Sequence, residues 1–211
     1  MEITNSKVSL SGRIISVQPR IKLLRSFDQL SHSYLGYSLY INGNINNERR
    51  EFSIGIGKAA QAKHSFKVGD IISGKSYPVS NPKTEAVEFY KTSGLVLMKC
   101  STPSNIYPPW NDTLVTLEEY RERGHRRLSA RTYDSKCRSC KWGCRMPVEM
   151  IIDHWNPTNK RYRIETFCYG PKSCKYYNPG PRRIVPGRKG MSWEEPDCVD
   201  EENTSHRSED E

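Results

Sequence analysis

The stretch Lys58-Ala-Ala-Gln-Ala-Lys-His64, followed by Phe66-Lys-Val-Gly69-Asp70-Ile-Ile-Ser-Gly74, decides how the first half of this 211-residue chain folds. Its first part contains good helix formers, and Gly69-Asp70 supplies turn residues ahead of an apolar run. Runs rich in β-branched and aromatic residues lie on both sides of the helical part. The pattern predicts a helix flanked by five strands, at residues 8–17, 34–41, 51–56, 68–79 and 86–98.

The order of these elements is typical of a small barrel. In the second run, Tyr37, Leu39 and Ile41 share one face, and residues 42–44 (Asn-Gly-Asn) then predict a tight turn into the third strand. Five strands, with a helix after the third and a Gly-Asp turn opening the fourth, resemble the OB fold over about residues 7–99. The resemblance implies a closed five-stranded barrel. Another small antiparallel barrel is the alternative.

Five of the seven cysteines lie between residues 137 and 174, as Cys137-Arg-Ser-Cys140-Lys-Trp-Gly-Cys144 and Cys168-Tyr-Gly-Pro-Lys-Ser-Cys174. Two residues between cysteines allow a tight turn to direct both sulfurs at one ion. Alternating residues on both sides of the turn formers at 156–160 predict a hairpin that returns the second cluster to the first. The arrangement resembles a zinc ribbon over about residues 133–178, although ribbons usually place two residues, not five, in the second pair.

This resemblance implies a structural Zn²⁺ ion held by four thiolates, for which the predicted ligands are Cys137, Cys140, Cys168 and Cys174. Cys144 is an alternative ligand or a small buried residue. An iron–sulfur cluster is the alternative cofactor, because Cys137, Cys140 and Cys144 are also spaced as three ligands of a four-iron cluster. Disulfides or plain buried thiols are the third alternative.

Charge is distributed unevenly along the chain. The whole sequence has 33 Lys and Arg, 24 Asp and Glu, and a net charge of +9. Nine of the acidic residues and one arginine lie in residues 194–211, so the preceding residues carry a net charge of +17. A body this basic favours a partner that carries phosphates. The tail has little apolar content, which predicts that it is disordered and competes with nucleic acid for the basic body. A merely solvated basic surface and a solubilising tail are the alternatives.

Barrels of the OB class bind single strands with aromatic residues on strands two and three and basic residues in nearby loops. The residues at matching positions are Arg20, Lys22 and Arg25 in the first loop, Tyr37 and Tyr40 on strand two, Phe52 on strand three, and the adjacent Arg49 and Arg50. Alternation alone does not say which strand face is inside, so each aromatic residue is equally compatible with the core.

Four regions are expected: an OB-like β-barrel at residues 1–100, a linker with a short basic helix at 101–132, a cysteine-rich metal-binding module at 133–180, and a basic arm with a disordered acidic tail at 181–211. The Pro-rich residues 101–110 predict the first boundary. A capping box at Thr116-Leu-Glu-Glu119 predicts a helix over about residues 117–129.

Together these patterns predict a mainly β protein: a small OB-like antiparallel barrel, a short helix and a zinc-ribbon-like β-hairpin module. We expect it to bind zinc and single-stranded or structured nucleic acid, DNA or RNA. With neither a secretory signal nor an apolar run long enough for a bilayer, it is expected to be cytoplasmic, without a membrane partner. It contains no familiar catalytic motif. The alternatives are an iron–sulfur redox protein or enzyme component, and an adaptor that binds protein partners.

Overall fold

The computed structural model describes residues 6–26, 28–101 and 114–209. Its first half, which we call the barrel, consists of β1 (Val8–Arg25), β2 (Leu30–Ile45), β3 (Glu48–Gly57), α1 (Lys58–His64), β4 (Ile71–Pro78) and β5 (Phe89–Lys99). The protein is mainly β, which confirms the predicted fold class. Helix α1 occupies the predicted residues, between the third and fourth strands.

The five strands of the barrel pair into a partly closed ring. β1 pairs with β2 and β4, β2 with β3, and β4 with β5, all in antiparallel fashion. A short parallel contact between Ile54 in β3 and Phe89 in β5 completes the ring. Apolar side chains from all five strands contribute to one buried core, among them Leu10, Ile14, Leu39, Ile41, Phe52, Ile54, Ile72 and Phe89. Burial of these side chains stabilises the ring.

Strand β1 is buried on both faces at its middle. The side chains of Ser16, Val17 and Gln18 are all buried, as is Pro19. Consecutive residues of a strand point to opposite sides of the sheet. One side of β1 therefore faces the barrel core, while the other is covered by the second half of the chain.

The β2–β3 hairpin turns at Asn46 and Asn47, not at residues 42–44 as predicted. These asparagines have φ values of 45° and 70°, the left-handed conformation that a tight hairpin turn requires and that asparagine tolerates. Gly43 instead lies inside β2, where a Cβ atom would stand 2.1 Å from the carbonyl oxygen of Ser11. The glycine in the predicted turn therefore allows β1 and β2 to approach each other closely.

The second half of the described chain, residues 114–209, is here called the cysteine module. It contains α2 (Leu117–Arg123), β6 (Arg126–Arg127), α3 (Ala130–Thr132), β7 (Gly143–Ile151), β8 (Lys160–Cys168), β9 (Ile184–Pro186), β10 (Ser192–Glu194) and α4 (Val199–Glu202). β7 and β8 form the predicted hairpin. β7 also runs parallel to the end of β1, with Val148 opposite Leu23, so the hairpin extends the sheet of the barrel.

Helix α2 begins as predicted but is shorter. The side chain of Thr116 accepts a hydrogen bond of 3.1 Å from the amide of Glu119, which is the predicted N-terminal cap. The helix ends at Gly124, whose φ is 65° and whose Cβ position would lie 2.1 Å from the carbonyl oxygen of Asn203. A glycine with positive φ, packed too tightly against Asn203 for any side chain, ends the helix, which was expected to continue to about residue 129.

The acidic tail is ordered in the structure, and the prediction that it is disordered is wrong for residues 194–209. The Asp200 carboxylate accepts hydrogen bonds of 2.8 Å from both the amide and the Nε atom of Arg127. Arg207 donates to the carbonyl oxygens of Tyr169 and Gly170, at 3.1 Å each. The tail is therefore held by hydrogen bonds of two buried arginines, Arg127 of the preceding chain and Arg207 of the tail itself.

Most of the predicted boundary at residues 101–110 lies outside the described residues, as do residues 102–113 of the predicted linker. Within the described part of the chain, no helix is both long and apolar enough to cross a membrane.

Candidate metal centre and nucleic-acid surface

The first cysteine pair lies in two consecutive turns between α3 and β7. A π-helical turn, Tyr133–Cys137, ends at the first cysteine. The amide of Cys140 then donates to the carbonyl oxygen of Cys137 at 3.0 Å, and the amide of Gly143 donates to that of Cys140 at 3.1 Å. The turns place both buried cysteines ahead of the first residue of β7.

The second pair follows the end of β8. Cys168 is the last residue of that strand and lies opposite Gly143, so the β7–β8 hairpin brings the end of β8 back to the first pair. The amide of Gly170 donates to the Cys168 sulfur at 3.3 Å. A further turn, in which the amide of Cys174 donates to the carbonyl oxygen of Pro171 at 3.2 Å, places half-buried Cys174 nearby. Amide donors to sulfur favour the thiolate, the form that binds metal.

The thiols of Cys137, Cys140, Cys168 and Cys174 influence one another electrostatically. Burial, reinforced by the thiols of Cys168 and Cys174, raises the pKa of Cys137 to about 12. The pKa of Cys140 is also raised to about 12, mainly by burial and further by the other three thiols. Burial raises the pKa of Cys168 as well, while the nearby cation of Arg126 opposes the shift. In the metal-free protein, Cys137 and Cys140 are therefore neutral thiols near pH 7.

Cys144 lies apart from these four cysteines. It stands opposite Phe167 in the β7–β8 hairpin, one residue from the pair formed by Gly143 and Cys168. Directly opposed residues share a face and adjacent residues do not, so the side chain of Cys144 points away from that of Cys168. Its sulfur donates instead to the carbonyl oxygen of Pro19 at 3.4 Å, and the side chain is completely buried. This is the small buried residue that the sequence allowed as its second role.

Across residues 6–26, 28–101 and 114–209, no three or more His, Cys, Asp or Glu side chains converge in a metal-holding arrangement. Thiols are the ligand type that zinc prefers, the Gly170 amide donates to the Cys168 sulfur, and the cation of Arg126 acts on the same thiol, but the four side chains are not arranged around one point. Zinc bound to four thiolates carries a net negative charge, which this arginine would balance. Zinc as the cofactor stays a prediction, as does the iron–sulfur alternative.

Gln18 connects the first cysteine pair to the barrel, and the sequence analysis did not identify it. Its side-chain amide donates to the carbonyl oxygens of Cys137 at 2.9 Å and Cys140 at 2.7 Å. Its own oxygen accepts a hydrogen bond of 2.6 Å from the hydroxyl of Tyr133. Since Gln18 is only 2% exposed, these bonds replace all contact with water. A single glutamine in a strand gives no sequence signal for such a role.

The predicted aromatic residues of the nucleic-acid surface lie in the core. Tyr37, Tyr40 and Phe52 are 7%, 5% and 1% exposed. Phe52 packs edge-to-face against Phe89 with ring centroids 6.1 Å apart, and the guanidinium of Arg138 covers the Tyr40 ring at 5.2 Å. The structure therefore places these rings in the core, where bases do not reach them.

The predicted basic residues Arg20, Lys22 and Arg25 were expected in a loop, but β1 continues through all three. Each is paired within the protein. Arg20 lies 2.7 Å from the Glu85 carboxylate, and Lys22 lies 2.7 Å from that of Glu149. Arg25 is completely buried between acidic residues of the cysteine module, so it is a structural residue.

The remaining two predicted residues lie near the tip of the β2–β3 hairpin. Arg49 is exposed, opposite Asn44 in β2. Arg50 pairs with the exposed Glu88 at 2.6 Å. Of the eight predicted nucleic-acid residues, Arg49 is thus the most open to solvent, while Arg50 and Lys22 are about one-third exposed and paired with carboxylates.

The chain matches no protein-family model, no curated protein and no solved structure with which it was compared. Its function is therefore inferred from its own geometry and charge.

Proposed function

We propose that this protein is a cytoplasmic zinc-binding protein that binds single-stranded or structured nucleic acid through its OB-like barrel and basic surface. The observation that carries the proposal is the charge distribution: +17 on residues 1–193 against −8 on residues 194–211. Tail carboxylates are engaged with arginines of the same chain, as Asp197 and Asp200 are with Arg127. Many other lysine and arginine side chains are exposed to solvent.

The exposed cations occur on both halves of the protein. They include Arg13, Arg49, Lys67, Lys75, Arg131, Lys136, Arg161 and Lys175. Lysine and arginine displace the counterions of a phosphate backbone, which gives binding that depends steeply on salt. Because the predicted stacking residues are buried, affinity at the barrel would come from phosphate contacts.

The metal would have a structural role. Cys137, Cys140, Cys168 and Cys174 would hold one zinc ion and so fasten the turns before β7 to the end of β8. Cys144, on the opposite face of the hairpin, is unsuited to join them. This position disfavours the form of the iron–sulfur alternative that uses Cys144. All seven cysteines are free thiols, in keeping with a reducing compartment such as the cytoplasm.

The proposal is tested by fluorescence anisotropy with labelled single-stranded DNA and RNA and a structured RNA hairpin at several salt concentrations. We expect the logarithm of the affinity to fall linearly with the logarithm of salt, by at least about tenfold between 50 and 200 mM. Unlabelled inorganic polyphosphate of equal charge is the control competitor. No binding at low salt would contradict the proposal. Equal competition by polyphosphate would favour the adaptor alternative, in which the chain docks on protein partners and binds nucleic acid no better than its charge predicts.

A further inference from the structure

An open apolar cleft lies in the cysteine module, away from the four clustered cysteines. Its volume is about 350 Å³, and it is formed by the loop after β7 and the β9–β10 hairpin. Trp155 lines the first wall; Met191 and Trp193 line the second. These side chains are 86%, 65% and 40% exposed. A cleft of this size is near the lower end of the range for small-molecule sites.

Exposure of these side chains is unfavourable in the isolated protein. A tryptophan that is almost fully exposed leaves a large apolar ring in water, and burying apolar area is worth about 25 cal/mol per Å². Two exposed tryptophans on one cleft therefore indicate a surface that is covered by a ligand. The apolar lining by itself does not identify that ligand.

The charge at the rim of the cleft identifies the ligand class. Arg188 lines the cleft and Lys189 follows it; both are exposed, and neither forms an ion pair with any residue that the structure describes. Of the two acidic residues beside the cleft, Glu194 lies near a cation, whereas Asp153 is hydrogen-bonded to a backbone amide, which carries no charge. An oxygen of Asp153 accepts a hydrogen bond of 3.0 Å from the Trp155 amide, and Glu194 lies 3.9 Å from Arg182. The cations are thus available to an anionic ligand.

We propose that this cleft binds an unpaired base of a single-stranded nucleic acid, with Trp155 and Trp193 as stacking surfaces and Arg188 and Lys189 as contacts to the flanking phosphates. The inference rests on the proposed nucleic-acid function. It moves base stacking from the barrel, where the aromatic rings are buried, to the cysteine module. Stacking on an aromatic ring combined with cations along the backbone is how proteins bind single strands with little sequence preference.

A second copy of this chain is the competing occupant of an apolar cleft. The chain has a net charge of +9, and two cationic rims would face each other across such a contact. Like charges at an interface disfavour association. A polyanion with exposed bases satisfies both the rings and the cations.

The test compares a labelled single-stranded oligonucleotide with one of the same length in which the bases are replaced by abasic sites. Binding is measured for the wild type, for Trp155→Ala and Trp193→Ala, and for Met98→Ala. Met98 is a matched exposed apolar residue, 64% exposed on β5. Each tryptophan variant should bind the normal strand about 5- to 150-fold more weakly, with an unchanged salt slope. Met98→Ala should bind like the wild type.

The abasic strand separates stacking from charge. The wild type should bind it more weakly than the normal strand, whereas the tryptophan variants should not distinguish the two. Arg188→Ala and Lys189→Ala should each reduce the salt slope by about one. If the wild type binds neither strand at low salt, the proposed function fails. If it binds both but the tryptophan variants bind equally well, this inference alone fails. Self-association that Trp155→Ala abolishes in sedimentation would also overturn it.

Discussion

The barrel and the cysteine module are stabilised in different ways. The barrel has a core of aliphatic side chains such as Leu39, Ile54 and Ile72, all completely buried. The cysteine module buries ionised residues beside its apolar ones: the Glu165 carboxylate is 1% exposed and lies between arginines, with Arg163 at 2.5 Å. A buried charge is tolerated only when it is paired. The stability of the barrel therefore depends on how much apolar area it buries, and that of the module also on specific pairs of buried charged residues.

The two regions are connected by buried ion pairs between a barrel residue and residues of the module. Arg25, at the end of β1, is a barrel residue, but its guanidinium lies 3.0 Å from Glu195 and 3.6 Å from Glu165 in the module. Arg183 lies 3.3 Å from the same Glu165 oxygen. Such a network holds one arrangement of its members, because removal of one partner leaves an unpaired buried charge. We therefore expect substitutions in the two regions to change stability by different amounts.

The largest effect is expected at the metal centre. Cys137→Ser should abolish zinc binding and unfold the cysteine module, because the metal contributes folding free energy there. Cys144→Ala is the matched control in the same segment: it removes a buried thiol on the other face of the hairpin and should retain the metal. Metal content and the near-ultraviolet dichroism of both variants are the measurements. Loss of metal in Cys144→Ala would make Cys144 a ligand.

The next effect concerns the connection between barrel and module. Gln18→Ala removes one of the two donors to each of two carbonyl oxygens and leaves the Tyr133 hydroxyl without its acceptor, and should lower the free energy of unfolding by about 2 kcal/mol. Gln29→Ala, at an exposed glutamine, is the control and should change it by less than about 0.5 kcal/mol. Urea denaturation measures both. If the Gln18 variant is as stable as the control, the hydrogen bonds of Gln18 do not stabilise the junction between barrel and module.

Two histidines at the junction give a pH dependence. Burial lowers the pKa of His32 to about 4. Burial also lowers the pKa of His125 to about 3, helped by the nearby His32 and Arg25. Their rings lie 5.0 Å apart, one in β2 and the other in the module. Both should stay neutral in the folded protein at pH values where the unfolded chain, with a histidine pKa near 6.5, binds protons.

The stabilising contribution of these histidines is therefore fully present above pH 6.5 and is lost as the pH falls toward about 4 for His32 and about 3 for His125. We expect each to lower the free energy of unfolding by up to about 1.4 kcal/mol per pH unit in that window. Denaturation of the wild type and of His32→Gln at pH 7.5, 6.0 and 5.0 measures the slope. The variant should lose about half of it. If the free energy of unfolding has the same pH slope in both proteins, His32 does not contribute to the pH dependence of stability.

The smallest effect is a local one in the barrel. Asn47 has a φ of 70° in the β2–β3 turn. Asn47→Ala places a less tolerant residue in the left-handed conformation and should cost about 1 kcal/mol, whereas Asn47→Gly should be neutral or slightly stabilising. Thermal unfolding of the pair checks this. If alanine and glycine behave alike, the turn does not limit the stability of the barrel.

The same difference explains what could be predicted from the sequence. The helix at 58–64 and the five strands follow from local patterns, as does the β7–β8 hairpin. The alternation of Ile21 and Leu23 with Arg20 and Lys22 is that of a strand, but the OB resemblance assigned these positions to the first loop. The partners of Arg25 and Gln18 could not be predicted. Gln18 bonds to a carbonyl oxygen 119 residues away, a contact that no local pattern encodes.

At the candidate site, the cysteine spacing predicted the hairpin that returns Cys168 toward the first pair, and strand register places Cys144 on the opposite face from Cys168. The four-thiolate ligand set stays a prediction. The aromatic surface could not be predicted, since alternation identifies two strand faces without indicating which is covered. Composition alone also could not predict that the tail is ordered. As with Arg25, the partners lie far away in sequence: acidic residues of the tail pair with arginines such as Arg127.

The central claim, that zinc on four thiolates holds the cysteine module, is tested most directly by metal analysis and absorption spectroscopy of the wild-type protein purified without oxygen. The account predicts one zinc ion per chain, a colourless protein, and loss of the module's near-ultraviolet dichroism when a chelator removes the metal. Rebinding zinc near pH 7 should release protons, because thiols in the unfolded module have a pKa of about 8.5 and are mostly protonated at that pH, whereas zinc binds thiolates. A brown protein that contains iron and sulfide, or a module that stays folded without metal, would contradict it.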